Sequence, residues 1–495
     1  MRRAFVRSLF IALAAFTLFF GAELFLEWWR LGRPGSDATD WAGVNNAKLV
    51  DLLSPMARAY NNVLAMLLAT IGLAIPLTAN MHTPKLIDVF LRDRINRVVL
   101  SGMAFGAAHV LWVDYIIGPS FAPTWALRLC VYLAIFGWAV LIPYFFYVVR
   151  FLDPSRIINR LRDETVAIAR SVHDGRRDPI VTQELASQRI DEIGTIVLKS
   201  LDRADRGVAR EGVWAIKVLL DRYAPLKASM PDAWFPVDRA DFVGFSAEAL
   251  DMLSENRTWF EMKCLLQLSL CYQQALGKAS DTVSSISDAT RVIATRAAER
   301  GDDEVLHLCV RFFNNYLREG IKSRNVHAVY DVYHQYRLLA RDVLSRPALV
   351  EAIGRHFLYY AEMARMYGLI FAPQLVAYDL GYVVRRAYEG KCGAGSTLLD
   401  ETLDIPHRKD GDVLTMVVKA KLILGAFFVE IGRPGEAERV RANLADVPAS
   451  VIARATRDLL AAEVVFFEVT DRQINLEYVP PERRAPLEQF ASQLS

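Results

Sequence analysis

The chain is poor in the motifs by which chemistry is usually read from a sequence. No CxxC pair, HExxH or GxSxG string occurs, and Gly277-Lys278 has no upstream glycine to complete a P-loop. Cysteine is scarce. Five in 495 residues, Cys130, Cys264, Cys271, Cys309 and Cys392, form neither a disulfide framework nor a metal pair. Charge of one sign is missing too: 58 Lys and Arg against 56 Asp and Glu leave a net charge of +2, so no nucleic-acid partner is expected. Alternating strand patterns are absent, and beyond residue 150 so are long hydrophobic runs.

What is present is a hydrophobic front. About 20 mostly apolar residues are needed to cross roughly 30 Å of hydrocarbon with every backbone polar group bonded internally. Four segments reach that length: Ser8 to Trp28, Met56 to Leu77, Val98 to Ile117 and Trp125 to Val149. Trp28, Trp29, Tyr60 and Trp125 lie near their ends, where amphipathic rings favour the headgroup layer. An arginine-rich start and apolar middle also suit an export signal. No small-x-small cleavage site precedes Glu23, however, so an anchor is expected.

Cations flanking the spans set the orientation. Arg2, Arg3 and Arg7 precede the first span, Lys85, Arg92, Arg94 and Arg97 join the second to the third, and Arg150, Arg156, Arg160 and Arg162 follow the fourth. The 118–124 connection has none. Amino terminus and carboxyl-terminal part are therefore both expected in the cytoplasm of a bacterial cell, with the protein in its inner membrane.

After Asp153 the periodicity is helical. Asp153-Pro154 offers a cap and a first-turn proline; Ile190, Ile193, Val197 and Leu201, then Val213, Ile216, Leu220 and Tyr223, predict a helical hairpin turning at 205–207. Breaks are expected near Gly277, Gly301, Gly320, Pro347, Pro373, 390–396 and Pro406. Leu424, Gly425, Phe428, Gly432 and Ala437 resemble part of a tetratricopeptide repeat, with Gly425 letting two helices approach and Phe428 filling the space between them. Pro480-Pro481 is expected to end the last long helix, leaving a short terminal helix or tail. The fold class is thus all-α: a four-helix transmembrane bundle over 1–150, a membrane-proximal hairpin region over 151–239, and a cytoplasmic, helical-hairpin domain over 240–495.

The segment Lys85 to Leu100, KLIDVFLRDRINRVVL, resembles a bacterial family of predicted membrane proteins, domain of unknown function two-two-five-four, over about Asn61 to Tyr223. The resemblance implies a multi-span inner-membrane protein and transfers no catalytic residue. Read physically, Phe90 and Leu91 would lie at the interface while Arg92, Arg94 and Arg97 reach anionic headgroups, each cation worth about 1 kcal/mol.

Polar groups inside the spans are the functional candidates, because each needs a partner or a wet cavity. His109 falls near the middle of the third span. Asp114 and Arg128 face each other across the short connection as an expected ion pair, with Glu23, Glu27 and Arg58 in the same outer layer. Asn61 and Asn62 are placed to bridge helices. Gly102 and Gly106 form a GxxxG spacing for close packing. In the soluble part His327, Asp331 and His334 share one helical face and form a weak metal candidate, set against an aromatic surface made by Tyr330, Tyr333 and Tyr336. No cofactor is expected.

These residues lead to a membrane-tethered scaffold or regulator that binds membrane lipids, copies of itself and a cytoplasmic protein partner. The competing reading is an oligomeric ion channel or transporter gated by the soluble domain.

Overall fold

The computed structural model describes Ala14 and Phe90 together with residues 17–23, 25–26, 28–29, 46–81, 93–117, 124–237, 239–409, 412–465, 472–473 and 475–494. The described residues are helical apart from loops and one short hairpin of two-residue strands, and the chain divides into two compact units, Met1–Ile157 and Ile158–Ser495.

In the first unit α1 (Asn46–Met81), α2 (Arg94–Ile116) and α3 (Thr124–Phe151) pack pairwise against one another. Their buried residues form successive layers: Leu53, Ala57, Val110, Val113, Leu127 and Cys130; then Tyr60, Ala107 and Ala134; then Ile71, Phe90, Tyr144 and Val148. The outer faces are as apolar as these layers. Ile135, Phe136 and Ile142 of α3 stand 61%, 67% and 66% exposed, a surface suited to lipid rather than water.

Among the described residues two helices, α2 and α3, are long and apolar enough to cross a membrane. At 1.5 Å per residue the 23 residues of α2 span about 35 Å, enough for the hydrocarbon layer. Of the expected first span, residues 14, 17–23, 25–26 and 28 are described and are helical; the others lie outside the described residues. The second falls in α1, whose side chains beyond Leu73 lie outside them as well.

The FLRDR element corrects the sequence expectation. Phe90 is fully buried, edge-on to Phe151 at 5.5 Å, and is no interfacial anchor. Asp93 is the N-cap of α2, its Oδ1 accepting from the backbone amides of Ile95 and Asn96 at 3.0 and 3.1 Å. Buried Asn96 returns a bond to the Phe90 carbonyl at 3.1 Å. Arg94 and Arg97 are exposed, whereas Leu91 and Arg92 lie outside the described residues.

The chain breaks at residues 152–153 and resumes in α4 (Pro154–His173), where Asp153 accepts from the Ser155 amide at 3.0 Å. The second unit continues with α5 (Pro179–Asp202) and α6 (Arg206–Lys227), the expected hairpin, with Ile190, Ile193, Val197, Val213, Ile216 and Tyr223 all buried. Gly212 makes the close approach: a Cβ there would run into Val197. Next come α7 (Ala247–Glu255), α8 (Trp259–Ala275), α9 (Ser280–Arg300), α10 (Asp303–Lys322), α11 (Val326–Asp342), α12 (Pro347–Met366), α13 (Ala372–Glu389) and α14 (Gly395–Leu403). The unit closes with α15 (Thr415–Glu430), α16 (Pro434–Asn443), α17 (Ala449–Ala461) and α18 (Pro481–Ser492). From α8 to α13 helices pack on the next and often the next but one in sequence.

Most punctuation falls where expected. Gly301 ends α9 in the left-handed conformation, φ 75°, and Pro347 and Pro373 open α12 and α13. Gly320 is different. It lies inside α10, facing Val329 of α11, and the left-handed turn is taken by Arg324 at φ 53°. Gly425 is also corrected, since a Cβ there would strike Phe490 of α18 and its close approach serves the terminal helix rather than α16. Phe428 packs edge-on to Tyr388 of α13 at 4.9 Å. The preceding helix ends at Ala461, well before Pro480, and Pro481 opens α18, the short terminal helix expected after the proline pair. A short hairpin, Arg408–Lys409 with Asp412–Val413, is the sheet that sequence periodicity did not register.

Candidate functional site: a carboxylate, an imidazole and a thiol

The polar residues of the first unit come together around His109. Its ring is fully buried, and Nε2 lies 2.9 and 3.0 Å from the two carboxylate oxygens of Glu23. On the opposite side Nδ1 lies 3.4 Å from the Sγ of Cys130 on α3, itself fully buried. Helical residues 17–23, α2 and α3 thus contribute one group each to a continuous chain. Rings enclose it: Phe19, Phe20 and Phe105 lie 6.2, 5.7 and 6.3 Å from the imidazole centroid, and Phe20 stacks on Trp112 at 5.7 Å. Neutral imidazole carries one N–H. Donated to Glu23, it leaves Nδ1 as a lone pair facing the thiol.

Asp114, one helical turn further along α2, accepts the Ser54 hydroxyl of α1 at 2.9 Å. Arg128 is half-buried two residues before Cys130, and Arg58 is exposed on α1. Asn61 donates to the Ala57 carbonyl of its own helix at 2.9 Å rather than across the bundle, and Asn62 is exposed. Glu27 lies outside the described residues.

The two glycines of the GxxxG spacing have different fates. Gly106 sits against Tyr60, where an added Cβ would be 2.6 Å from the phenol oxygen; Gly137 of α3 meets the same ring. Gly102 is exposed with nothing within 4 Å. The spacing therefore packs one glycine inside the unit and leaves the other on its surface.

The proposed metal face of α11 does not assemble. Asp331 is fully buried and accepts the Ser287 hydroxyl of α9, whereas Nδ1 of His334 accepts from the Arg337 guanidinium at 3.0 Å. Burial, then the nearby Arg472 and Arg337 cations, push the His334 pKa down to about 3. No cluster of His, Cys, Asp and Glu able to hold a metal is found among the described residues. Helical spacing placed the three on one face; packing turned Asp331 into the core.

That packing contains a buried ion pair which the letters did not reveal. Arg472 grips Asp379 of α13 through two contacts, Nη1 to Oδ1 at 2.5 Å and Nη2 to Oδ2 at 2.9 Å, and also donates to the Tyr330 carbonyl at 3.2 Å. The two residues are 93 apart in sequence, so no local pattern announces them. Lys421 of α15, also buried, donates to the carbonyls of Leu403 and Ile405 at 3.0 and 2.8 Å and to Asn443 at 2.7 Å. Desolvation lowers its pKa to about 8.

The Lys421 contacts hold the 403–405 backbone as one wall of an open cavity of about 530 Å³. Its lining is largely apolar, with Ile370, Pro373, Val376, Ile405 and Pro406 prominent and Glu362, Arg365, Asp404 and Arg408 among the polar members. Ile370 is 67% exposed.

The class these features define is an all-helical membrane protein with a large second helical unit. Residues 2–197 match the model of the family described as predicted membrane protein (DUF2254), the family whose resemblance is carried by the FLRDR element. The match begins nearer the amino terminus than the resemblance and stops inside α5, so α6 and everything after it lie outside it. No curated protein and no solved structure matches the chain.

Proposed function

We propose that this is a multi-pass protein of the bacterial inner membrane, with both ends cytoplasmic, acting as a membrane-tethered scaffold or regulator through its second unit. The cation-free 118–124 connection between two arginine-flanked segments supports that orientation. The scaffold reading is carried by the cavity between α12, α13 and the 404–414 segment. It is an apolar recess of about 530 Å³ with an exposed isoleucine and charges of both signs around it, the surface that an amphipathic segment of a cytoplasmic protein would fill. The buried Lys421 ammonium is engaged by the Leu403 and Ile405 carbonyls, so it stabilises the wall of this surface rather than offering chemistry.

The test is site-specific photo-crosslinking from position 370 of the full chain in cells, followed by reconstitution with the partner so identified. Binding should weaken at least tenfold in Ile370→Glu and remain unchanged in Lys391→Ala. Equal crosslinking from positions 370 and 391 would refute the surface. Pore activity, the rival reading, predicts liposome conductance that is altered in His109→Gln.

A further inference from the structure

We propose that Cys130, His109 and Glu23 form an acyl-transfer site in which the Cys130 thiol is the nucleophile toward long-chain acyl esters or thioesters carried in the bilayer. The geometry is that of an activated nucleophile: a thiol within reach of a base whose far nitrogen is held by a third group. Cys130 Sγ faces Nδ1 of His109 at 3.4 Å, and Nε2 faces Glu23 at 2.9 and 3.0 Å. Because the one imidazole N–H is donated to Glu23, Nδ1 is the acceptor the thiol needs. His109 is the general base, and Glu23 is a positioning residue that holds the tautomer.

The surroundings select the substrate class. Phe19, Phe20, Phe105 and Trp112 wall the imidazole side, and Leu53, Val110 and Leu127 pack in the same layer as the thiol. A polar, water-borne acyl donor would lose hydration there, whereas an alkyl chain would not. In the reaction the S–H proton passes to Nδ1 as sulfur adds to the acyl carbonyl. The C–S bond of a thioester, or the C–O bond of an ester, then breaks, and the imidazolium returns the proton to the departing thiolate or alkoxide. The product is an S-acyl thioester on Cys130. No oxidant or metal takes part.

A structural clamp would use Glu23 and His109 equally well but gives no reason for Cys130 to react ahead of other thiols. The chain supplies its own controls, since Cys264, Cys271 and Cys309 are buried and Cys392 is half-exposed.

The experiment places the full chain in nanodiscs whose phospholipid carries a long-chain ω-alkynyl acyl ester and maps hydroxylamine-labile adducts by mass spectrometry. Acylation is expected at Cys130 ahead of the other four cysteines and absent in Cys130→Ser. In His109→Gln the rate at neutral pH should fall about 100-fold, the usual loss on removing a general base, and should climb with rising pH as the thiol ionises unaided. Glu23→Gln should give an intermediate rate. Far-ultraviolet circular dichroism and detergent monodispersity identify which variants are folded. The proposal is overturned if wild-type Cys130 is not acylated, if it is acylated no faster than Cys392, or if a folded His109→Gln or Glu23→Gln variant matches the wild-type rate and pH profile.

Discussion

Tyr147 of α3 donates its hydroxyl to Asp93 Oδ1 at 2.8 Å, and the same oxygen caps the first turn of α2. One carboxylate oxygen therefore closes the start of one apolar helix and ties it to the last two turns of its neighbour. This makes the aspartate of the FLRDR element a fastening point, with Phe90 as the apolar plug beside it. Asp93→Ala should lower stability by about 1–2 kcal/mol through loss of the cap. Tyr147→Phe added to it should cost little more, because its acceptor is already gone; fully additive losses in detergent unfolding would contradict a shared oxygen.

Tyr60 lies against both Gly106 and Gly137. Gly106→Ala forces a methyl group onto the ring and should destabilise the first unit by about 1–3 kcal/mol, as overpacked cores do. Tyr60→Phe should recover part of that loss by removing the atom nearest the new methyl. Gly102→Ala meets open space and should be neutral or slightly favourable, reflecting the better helix propensity of alanine. Thermal unfolding of the three variants checks the series, and equal damage from both glycine substitutions would dismiss Tyr60 as the cause.

Asp379 and Arg472 are, respectively, 0% and 1% exposed at the side chain, so each neutralises a charge that water does not reach. Removing Asp379 should cost about 3–5 kcal/mol, because Arg472 is left buried without its carboxylate, whereas removing Arg472 should cost less, because Arg337 Nη1 still lies 3.5 Å from Asp379 Oδ1. The double replacement Asp379→Leu with Arg472→Met should cost clearly less than the two single losses added together. Denaturant midpoints measure this. Additivity would show that the ions do not stabilise one another.

Lys421 gives a pH dependence of definite sign. Its folded pKa of about 8 lies below the ordinary lysine value of 10.5, so between these limits the unfolded chain holds the proton that the folded chain has released. More protons bound to the unfolded state means stability that rises with pH. Chemical denaturation of the full chain followed through the second unit should therefore show a gain between about pH 8 and 10, absent in Lys421→Met. The same slope in the variant would assign the effect to other groups.

Much of the helical order was legible beforehand because it is local. The hairpin of α5 and α6 follows from apolar spacings of three and four, and the starts of α12 and α13 follow from prolines whose fixed φ suits a first turn. Gly320 misled for the opposite reason. A glycine signals a turn when conformational freedom is what counts, whereas here its missing side chain serves the packing of α10 on α11, and Arg324 bears the left-handed turn. His109 and Glu23 stood out as polar letters in apolar runs, but Cys130 did not, since a thiol is common in a buried helix. Only its position opposite Nδ1 singles it out.

By itself the sequence determined the all-helical character, the hydrophobic front and its resemblance to a membrane family, because backbone propensity and periodicity act over a few residues. Tertiary structure alone decided which polar groups meet. Glu23 reaches His109 across 86 positions and Arg472 reaches Asp379 across 93, and such partners are chosen by helix packing and the cost of leaving charge unpaired in an apolar interior, neither of which is written in any local run of letters.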